Sequence, residues 1–487
     1  MSISKARTFS NVLYSGLAKG ATLVCLLLTN SVIARSLSPA DYGVVGFAAI
    51  IIGFLVHFSD MGIGTAVIRS PEVDENRLST ALMLKVILST AAFIAALSIA
   101  PFAHLFFEHP QTANVIRLLS LNFLLSTIGF LSLTALTREL NYRALVVPGV
   151  VGAIIRCILV ILLIWHGWKY WAIIAADIAA NFATGVAAQL VYKVPLRIHF
   201  DFRVAEEYLR FGLPLFGSGV LIFAIFNLDN FLVGARMGSV KLGYYAIAFT
   251  WASFICGLLY DTVNNVLLPT FSAIQHDREA MRRWYLKTVD LVAFVAVVVN
   301  TTLLVNAREF LVTFLGKGTE KWVPAAVALQ ILCVYGMVRA ATEPLGPCLL
   351  ARGRSDMLWR ANLVAGAIEV LLLLLAVRSG RIELVAAVVL FAYISQVIVY
   401  LPYLRHDLSV SLSDIAGQLW PVFPAIGTGV LVTSLLPTFM GGNLFTLAVR
   451  GLLTASIVAL THGFCTRFRC FQEAGGMISQ KFSRVAG

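Results

Sequence analysis

Runs of about twenty apolar residues alternate with short polar connectors along almost the whole chain. A bilayer core about 30 Å thick needs about 20 residues of helix to cross it, because open backbone would leave N–H and C=O groups unsatisfied in lipid. Six such runs come first: Asn11 to Ala34, Tyr42 to Ala66, Thr80 to Phe102, Val115 to Leu136, Val147 to Trp165 and Tyr170 to Tyr192. After a polar connector around Arg197 to Arg210 come Phe211 to Gly234, Gly243 to Leu268, Thr288 to Leu315, Val323 to Leu345, Leu358 to Val377 and Glu383 to Tyr403. Leu419 to Leu436 and Leu444 to Cys465 close the ladder, which predicts an all-α integral membrane protein of about fourteen transmembrane helices.

The connectors carry direction. Lys and Arg are in excess on the side that bears both termini, with Lys5, Arg7, Arg138, Arg143, Arg278, Arg282, Arg283, Arg352 and Arg354 among them. By the positive-inside rule both ends of the chain are cytoplasmic. The first ten residues are polar and no small-residue cleavage site follows the first apolar run, so that run reads as a retained helix. Asp201 to Arg210 and Ser272 to Lys287 mix Trp, Tyr and Leu with Arg and Lys, which suits amphipathic helices in the headgroup layer.

Composition agrees: 59% of residues are hydrophobic and only 13% charged. The net charge of +12 comes from basic residues scattered between apolar runs, a loop pattern rather than a nucleic-acid-binding stripe. Seven cysteines (Cys25, Cys157, Cys256, Cys333, Cys348, Cys465 and Cys470) form no C-x-x-C pair and read as small buried hydrophobes. No P-loop, dinucleotide fingerprint, H-E-x-x-H or G-x-S-x-G occurs, so neither metal site, cofactor nor enzyme is expected.

An internal repeat organises the ladder. Shifted by 200 residues, LTNSVIARSLSPADYGVVGFA (Leu28 to Ala48) lies over LDNFLVGARMGSVKLGYYAIA (Leu228 to Ala248), with Leu28, Asn30, Gly43 and Ala48 recurring identically. An acid follows the shared glycine by 17 or 18 residues, at Asp60 and Asp261. The repeat is parallel, and it predicts an N-terminal six-helix lobe at 1–196 facing a C-terminal six-helix lobe at 197–410 across a central cavity. An extra helix pair and a cytoplasmic tail occupy 411–487.

Ionisable side chains inside the spans each have to pair, snorkel or line a wet cavity. They are Lys19, Asp60, Arg156 and Asp177 in the first half, and Asp229, Asp261, Arg308, Arg339, Glu343 and Glu369 in the second. Lys19 lies too deep to snorkel with ease, and Arg156 sits at the centre of VVGAIIRCILVILLIW with nothing in its own helix to neutralise it. Arg339 and Glu343 are four apart, which leaves a local ion pair and a binding role equally open. The stripes Asn227, Asp229, Asn230 and Asp261, Asn264, Asn265 can bind helices together or bind a polar ligand. Gly336, Pro344, Gly346 and Pro347 mark a bend or a binding element in the tenth run.

Three stretches resemble Wzx-type polysaccharide-transport flippases of the multidrug/oligosaccharidyl-lipid/polysaccharide exporter superfamily: Ser36 to Ser70, Leu228 to Trp251 and Leu267 to Val289. The resemblance implies movement of undecaprenyl-diphosphate-linked oligosaccharide across the bacterial inner membrane for lipopolysaccharide, capsule or exopolysaccharide assembly. Expected partners are that lipid-linked glycan, membrane lipids, a polysaccharide polymerase and glycosyltransferases, with no nucleic acid. The expected substrate set is Lys19, Arg156, Arg339, Asp60, Asp177, Asn227, Asp229, Asn230, Asp261 and Asn264. Asp229, Asp261, Glu343 and Glu369 are the candidates for coupling to H⁺ or Na⁺, with no other cofactor. The final helix pair departs from a twelve-helix pattern and leaves a lipid II flippase open. A drug or small-cation exporter and a membrane scaffold for glycosyltransferases are competing readings of the same charges.

Overall fold

The computed structural model describes residues 5–71, 74–107, 109–139, 141–194, 199–411, 413–414, 417, 420–435 and 444–466. Among the described residues there is no β-strand. The helices are α1 (Lys5–Ser36), α2 (Pro39–Asp60), α3 (Ile63–Arg69), α4 (Glu75–Ile99), α5 (Thr112–Leu119), α6 (Leu121–Leu125), α7 (Phe130–Arg138), α8 (Tyr142–Trp165) and α9 (Trp171–Val191). They continue as α10 (Phe202–Met237), α11 (Ser239–Ala273), α12 (Arg278–Val305), the single turn α13 (Ala307–Glu309), α14 (Ala326–Thr342), α15 (Leu345–Ala351), α16 (Ser355–Ala376) and α17 (Ile382–Leu408). A terminal pair, Val422–Leu435 and Leu444–Cys465, follows.

Among the described residues ten helices are long and apolar enough to cross a membrane, or eleven if α5 to α7 form one bent span. The expected first run falls on α1, the eighth on α11 and the thirteenth on Val422–Leu435, the ends of that expected run, Leu419 and Leu436, lying outside the described residues. The protein is therefore a multi-pass membrane protein built from helices alone among the described residues.

Local chemistry sets the ends and breaks. Ser38 caps α2 in a reciprocal box with Asp41, and Asp74, Asn141, Asp201 and Asp277 each accept a backbone N–H at the start of a helix. Between α2 and α3 the chain turns through two left-handed residues, Met61 (φ 37°) and Gly62 (φ 69°). The fourth expected span is not straight: Thr112–Leu125 and Phe130–Arg138 are bent by 53°. Ser126 and Thr127 return their hydroxyls to the Phe123 and Leu124 carbonyls there. A Cβ on Gly129 would stand 2.8 Å from the Cα of Gly185, so the bend lets α9 approach backbone to backbone.

The two expected amphipathic connectors are not separate helices. Phe202 to Arg210 is the first part of α10, and Arg278 to Lys287 the first part of α12. In α10 the helix continues from the polar segment into its apolar run through Gly212 and Pro214, and in α12 neither Gly nor Pro interrupts it. The 36 residues of α10 extend about 54 Å at 1.5 Å per residue, well beyond the hydrocarbon core. Polar groups at its start tie it to α4: the backbone N–H of Asp201 donates to Thr80 at 3.1 Å, and Arg77 pairs with Glu207 at 3.1 Å.

The chain forms two compact units, Met1–Gly243 and Tyr244–Gly487, so α10 packs with the helices that precede it. In the first unit α8 packs on α1 and α9, and α2 on α4 and α10. One core there joins Ile63, Leu84, Phe130, Leu131 and Tyr208. In the second unit α12 and α14 pack together, and a core joins Phe271, Met281, Tyr285, Cys348, Met357 and Tyr400. The terminal pair adds Ala425 and Val458 to Val297 and Met337, which fixes it against α12 and α14. Of the six described cysteines, all free, Cys157, Cys256, Cys333 and Cys348 are buried and Cys25 and Cys465 partly so, and Cys470 lies outside the described residues.

Candidate charged and polar site

Three ion pairs engage charges within the helices, and they either cross between helices or climb one turn of a helix. Arg156 on α8 donates through Nε to Oδ1 of Asp177 on α9, with the two side chains 27% and 28% exposed. A neutralising partner absent from its own helix is thus supplied by the next one. Nε uses one edge of the guanidinium, and no other partner of Arg156 occurs among the described residues. The two terminal nitrogens keep the fork geometry that suits a phosphate oxygen pair.

Arg339 and Glu343 form the i,i+4 pair that their spacing allows, Nε to Oε1 at 3.2 Å, and Arg339 also donates to the Tyr335 hydroxyl at 3.2 Å. Tyr335 stands edge-on to Tyr393 at 5.3 Å. The adjoining face of α14, with Val334, Met337 and Ala341, lines an apolar groove of about 210 Å³ closed by Val422, Phe423 and Ile426 of the terminal pair. The Gly–Pro segment after this pair makes only a short break, with α15 resuming at Leu345.

A third pair joins Asp60 to a lysine outside the set that the sequence singles out. Lys85, in the middle of α4 and 5% exposed, donates to the Ser59 carbonyl at 3.0 Å and lies 3.4 Å from Asp60 at the end of α2. Its ammonium also sits 5.8 Å from the centre of the Phe130 ring. The signal is present as one lysine inside the apolar run ALMLKVIL. Asp60 itself is half exposed.

Lys19 is exposed on α1. Asn227 donates to its own helix at Phe223, 2.9 Å away, and borders an apolar groove of about 310 Å³ rich in Phe side chains. Asp229 is buried and accepts from the backbone N–H of Asn230 at 2.7 Å and from its carboxamide at 3.2 Å. Both bonds join these two sequence neighbours to each other. Glu369 is buried on α16. The side chains of Asp261 and Asn264, and of Asn265 beside them, lie outside those described. Arg308 pairs with Glu320 at 2.9 Å on an exposed surface. No group of three or more His, Cys, Asp or Glu side chains able to hold a metal occurs among the described residues.

The chain as a whole is similar to several known proteins. The chain is 24% identical over 427 residues to the lipopolysaccharide biosynthesis protein WzxC of Escherichia coli (strain K12), covering 86% of this chain and 85% of that one. It is 24% identical to the teichuronic acid biosynthesis protein TuaB of Bacillus subtilis (strain 168), covering 69% of each. Its fold is similar to that of the lipid II flippase MurJ in an inward closed conformation, with a TM-score of 0.70 at 14% identity over 92% of this chain and 98% of that one. A family model described as polysaccharide biosynthesis protein matches residues 32–327, more than half of the sequence, and the chain belongs to that family.

Proposed function

We propose that this chain is a flippase. It moves a polyprenyl-diphosphate-linked oligosaccharide from the cytoplasmic to the outer leaflet of the bacterial inner membrane by alternating access, for lipopolysaccharide, capsule or exopolysaccharide assembly. It is a transporter and not an enzyme. Family membership and the two polysaccharide-biosynthesis relatives support the cargo class.

The observation that carries the reading is Arg156: a guanidinium at the centre of an apolar helix, half-buried, engaged on one edge by Asp177 and open on the other. With the site empty, Asp177 neutralises the cation and lowers the cost of holding it in the membrane. With a diphosphate present, the free edge offers two donors to its oxygens. Lys19 and Arg339 complete the cationic set, while Asn227, Asp229, Asn230 and Asn264 supply partners for sugar hydroxyls. The prenyl chain stays in the bilayer, where its apolar surface costs nothing to keep.

Both termini face the cytoplasm, in keeping with the excess of Lys and Arg on that side. Asp229, Asp261, Glu343 and Glu369 are the acids available to couple export to H⁺ or Na⁺. A glycan polymerase and glycosyltransferases act before and after the export step. A drug or small-cation exporter would set acids without fixed cations in its cavity, and the three cation–acid pairs weigh against it. Lys19→Ala and Arg156→Ala variants that reach the membrane in normal amount should fail to restore glycan export to a strain lacking the protein. Full restoration by both would refute the anchoring role.

A further inference from the structure

The repeat visible at a shift of 200 residues meets itself in space. A Cβ added to Gly43, the fifth residue of α2, would stand 2.0 Å from the carbonyl oxygen of Ser239; one added to Gly243, the fifth residue of α11, would stand 1.9 Å from that of Pro39. Pro39 and Ser239 each open their helix and are themselves 200 apart. The two contacts are therefore one contact made twice, by equivalent residues around a local twofold axis. The added carbon on Gly43 would also lie 3.1 Å from the backbone nitrogen of Gly243, so the glycines face each other across that axis. All four residues lie within Met1–Gly243.

Small residues commonly let membrane helices approach. Reciprocity between equivalent positions of two repeats is a stronger constraint, because a change at either glycine disturbs the same crossing. We infer that this glycine–carbonyl crossing is the closure of one face of the protein: α2 and α11 are held backbone to backbone at their first turns, and their parting opens that face. The inference rests on the alternating-access reading above and names the place where the alternation is latched.

Three features suit a closure that has to open. The contact is of the Cα–H···O type, individually weak and free of interlocked side chains. It lies at the helix starts, where α1 ends and α2 begins and where α10 ends and α11 begins, so a small tilt separates it without disturbing the helix interiors. An apolar seal continues it: Phe47, one turn further along α2, stacks on Phe107 at 4.5 Å and on Phe231 at 5.6 Å. Gly234 leaves room for both Phe47 and Leu242, which an added Cβ would meet at 2.7 and 3.0 Å.

Ser36 and Arg236 are exposed beside the crossing and are again 200 apart. The full-length chain, with its native cysteines replaced, takes cysteines at these two positions and is reconstituted in vesicles. Spin labels there should report a dominant short distance when both glycines are present. Gly43→Val and Gly243→Val should each shift the distribution to longer distances, with Gly43→Ala in between. A cleavable bifunctional thiol reagent joining the same two cysteines should stop glycan-lipid transport, and cleaving it should restore transport. Unchanged distances in both valine variants, or undiminished transport with the linker in place, would overturn the inference. If the valine variants fail to insert, the linker experiment on the glycine-bearing chain decides alone. Absence of transport in the unlinked, glycine-bearing chain would count against the export reading, while the spin-label comparison would still judge the closure.

Discussion

Arg156 and Asp177 stand on consecutive helices and share one ion pair, yet each keeps about a quarter of its side chain exposed. A pair buried for cohesion alone would be sealed, whereas this one holds its charge at the edge of accessible space. Arg156→Ala should abolish export and cost about 1–3 kcal/mol of stability, below the cost of breaking a fully buried pair. Arg156→Lys should keep the charge but lose the fork, and so export partially. The double exchange Arg156→Asp with Asp177→Arg should recover stability without recovering export. Surface glycan and the thermal midpoint in detergent measure the two effects separately.

Lys85 ties the end of α2 to the middle of α4 through the Ser59 carbonyl at 3.0 Å and, at the longer 3.4 Å, through Asp60. Lys85→Met should lower stability by about 1–3 kcal/mol, because a buried carbonyl loses its donor. Asp60→Asn should cost less, since Asp60 is half exposed and its contact is longer. Thermal midpoints of the two purified variants test the order, and a larger loss for Asp60→Asn would contradict it.

Asp414, between α17 and the terminal pair, accepts from the Ser411 backbone N–H at 2.9 Å and from Arg282 at 2.8 Å. The Ser411 amide first, and then the Arg282 guanidinium, hold its carboxyl down at about 2. A carboxylate lowered by folding stabilises the fold above its ordinary value of about 4 and loses that contribution as pH falls through its folded value. Asp414→Asn should therefore lower the thermal midpoint at neutral pH. The gap to the unsubstituted chain should close between about pH 4 and pH 2. A gap independent of pH across that window would contradict the assignment.

Two helical glycines should respond with opposite sign to the same substitution. An added Cβ on Gly336 would stand 2.7 Å from the Ala252 carbonyl oxygen and 3.1 Å from the Asn300 carboxamide, whereas nothing lies within 4 Å of one on Gly257. Gly336→Ala should cost about 1–3 kcal/mol by overpacking. Gly257→Ala should gain about 0.5–1 kcal/mol from helix propensity. Chemical denaturation or thermal midpoints in one detergent give both signs.

The helix ladder is legible in the sequence because lipid leaves the backbone only one solution, and that solution needs a fixed length of apolar residues. The 200-residue repeat is equally visible, and it pairs Gly43 with Gly243 without reference to their contact. The Arg339–Glu343 pair follows from spacing within one helix. Pairs between helices do not: nothing local to α8 points to Asp177, and nothing local to α4 points to Ser59, because the register between two helices is fixed by packing. The bend between α6 and α7 is hidden for a similar reason, since Ser126 to Gly129 interrupts an apolar run without adding charge. The amphipathic starts of α10 and α12 read as surface helices because composition reports depth in the membrane but not continuity of the backbone.

The most direct measurement is translocation by the purified chain. A fluorescent polyprenyl-diphosphate oligosaccharide is placed in one leaflet of reconstituted vesicles, and its appearance in the other is followed by a membrane-impermeant quencher. The unsubstituted chain should move it many times faster than protein-free vesicles, while the Lys19→Ala, Arg156→Ala double variant should fall to the protein-free rate. A rate for the unsubstituted chain no faster than bare lipid, or a double variant as fast as its parent, would contradict a flippase that grips its cargo by the diphosphate.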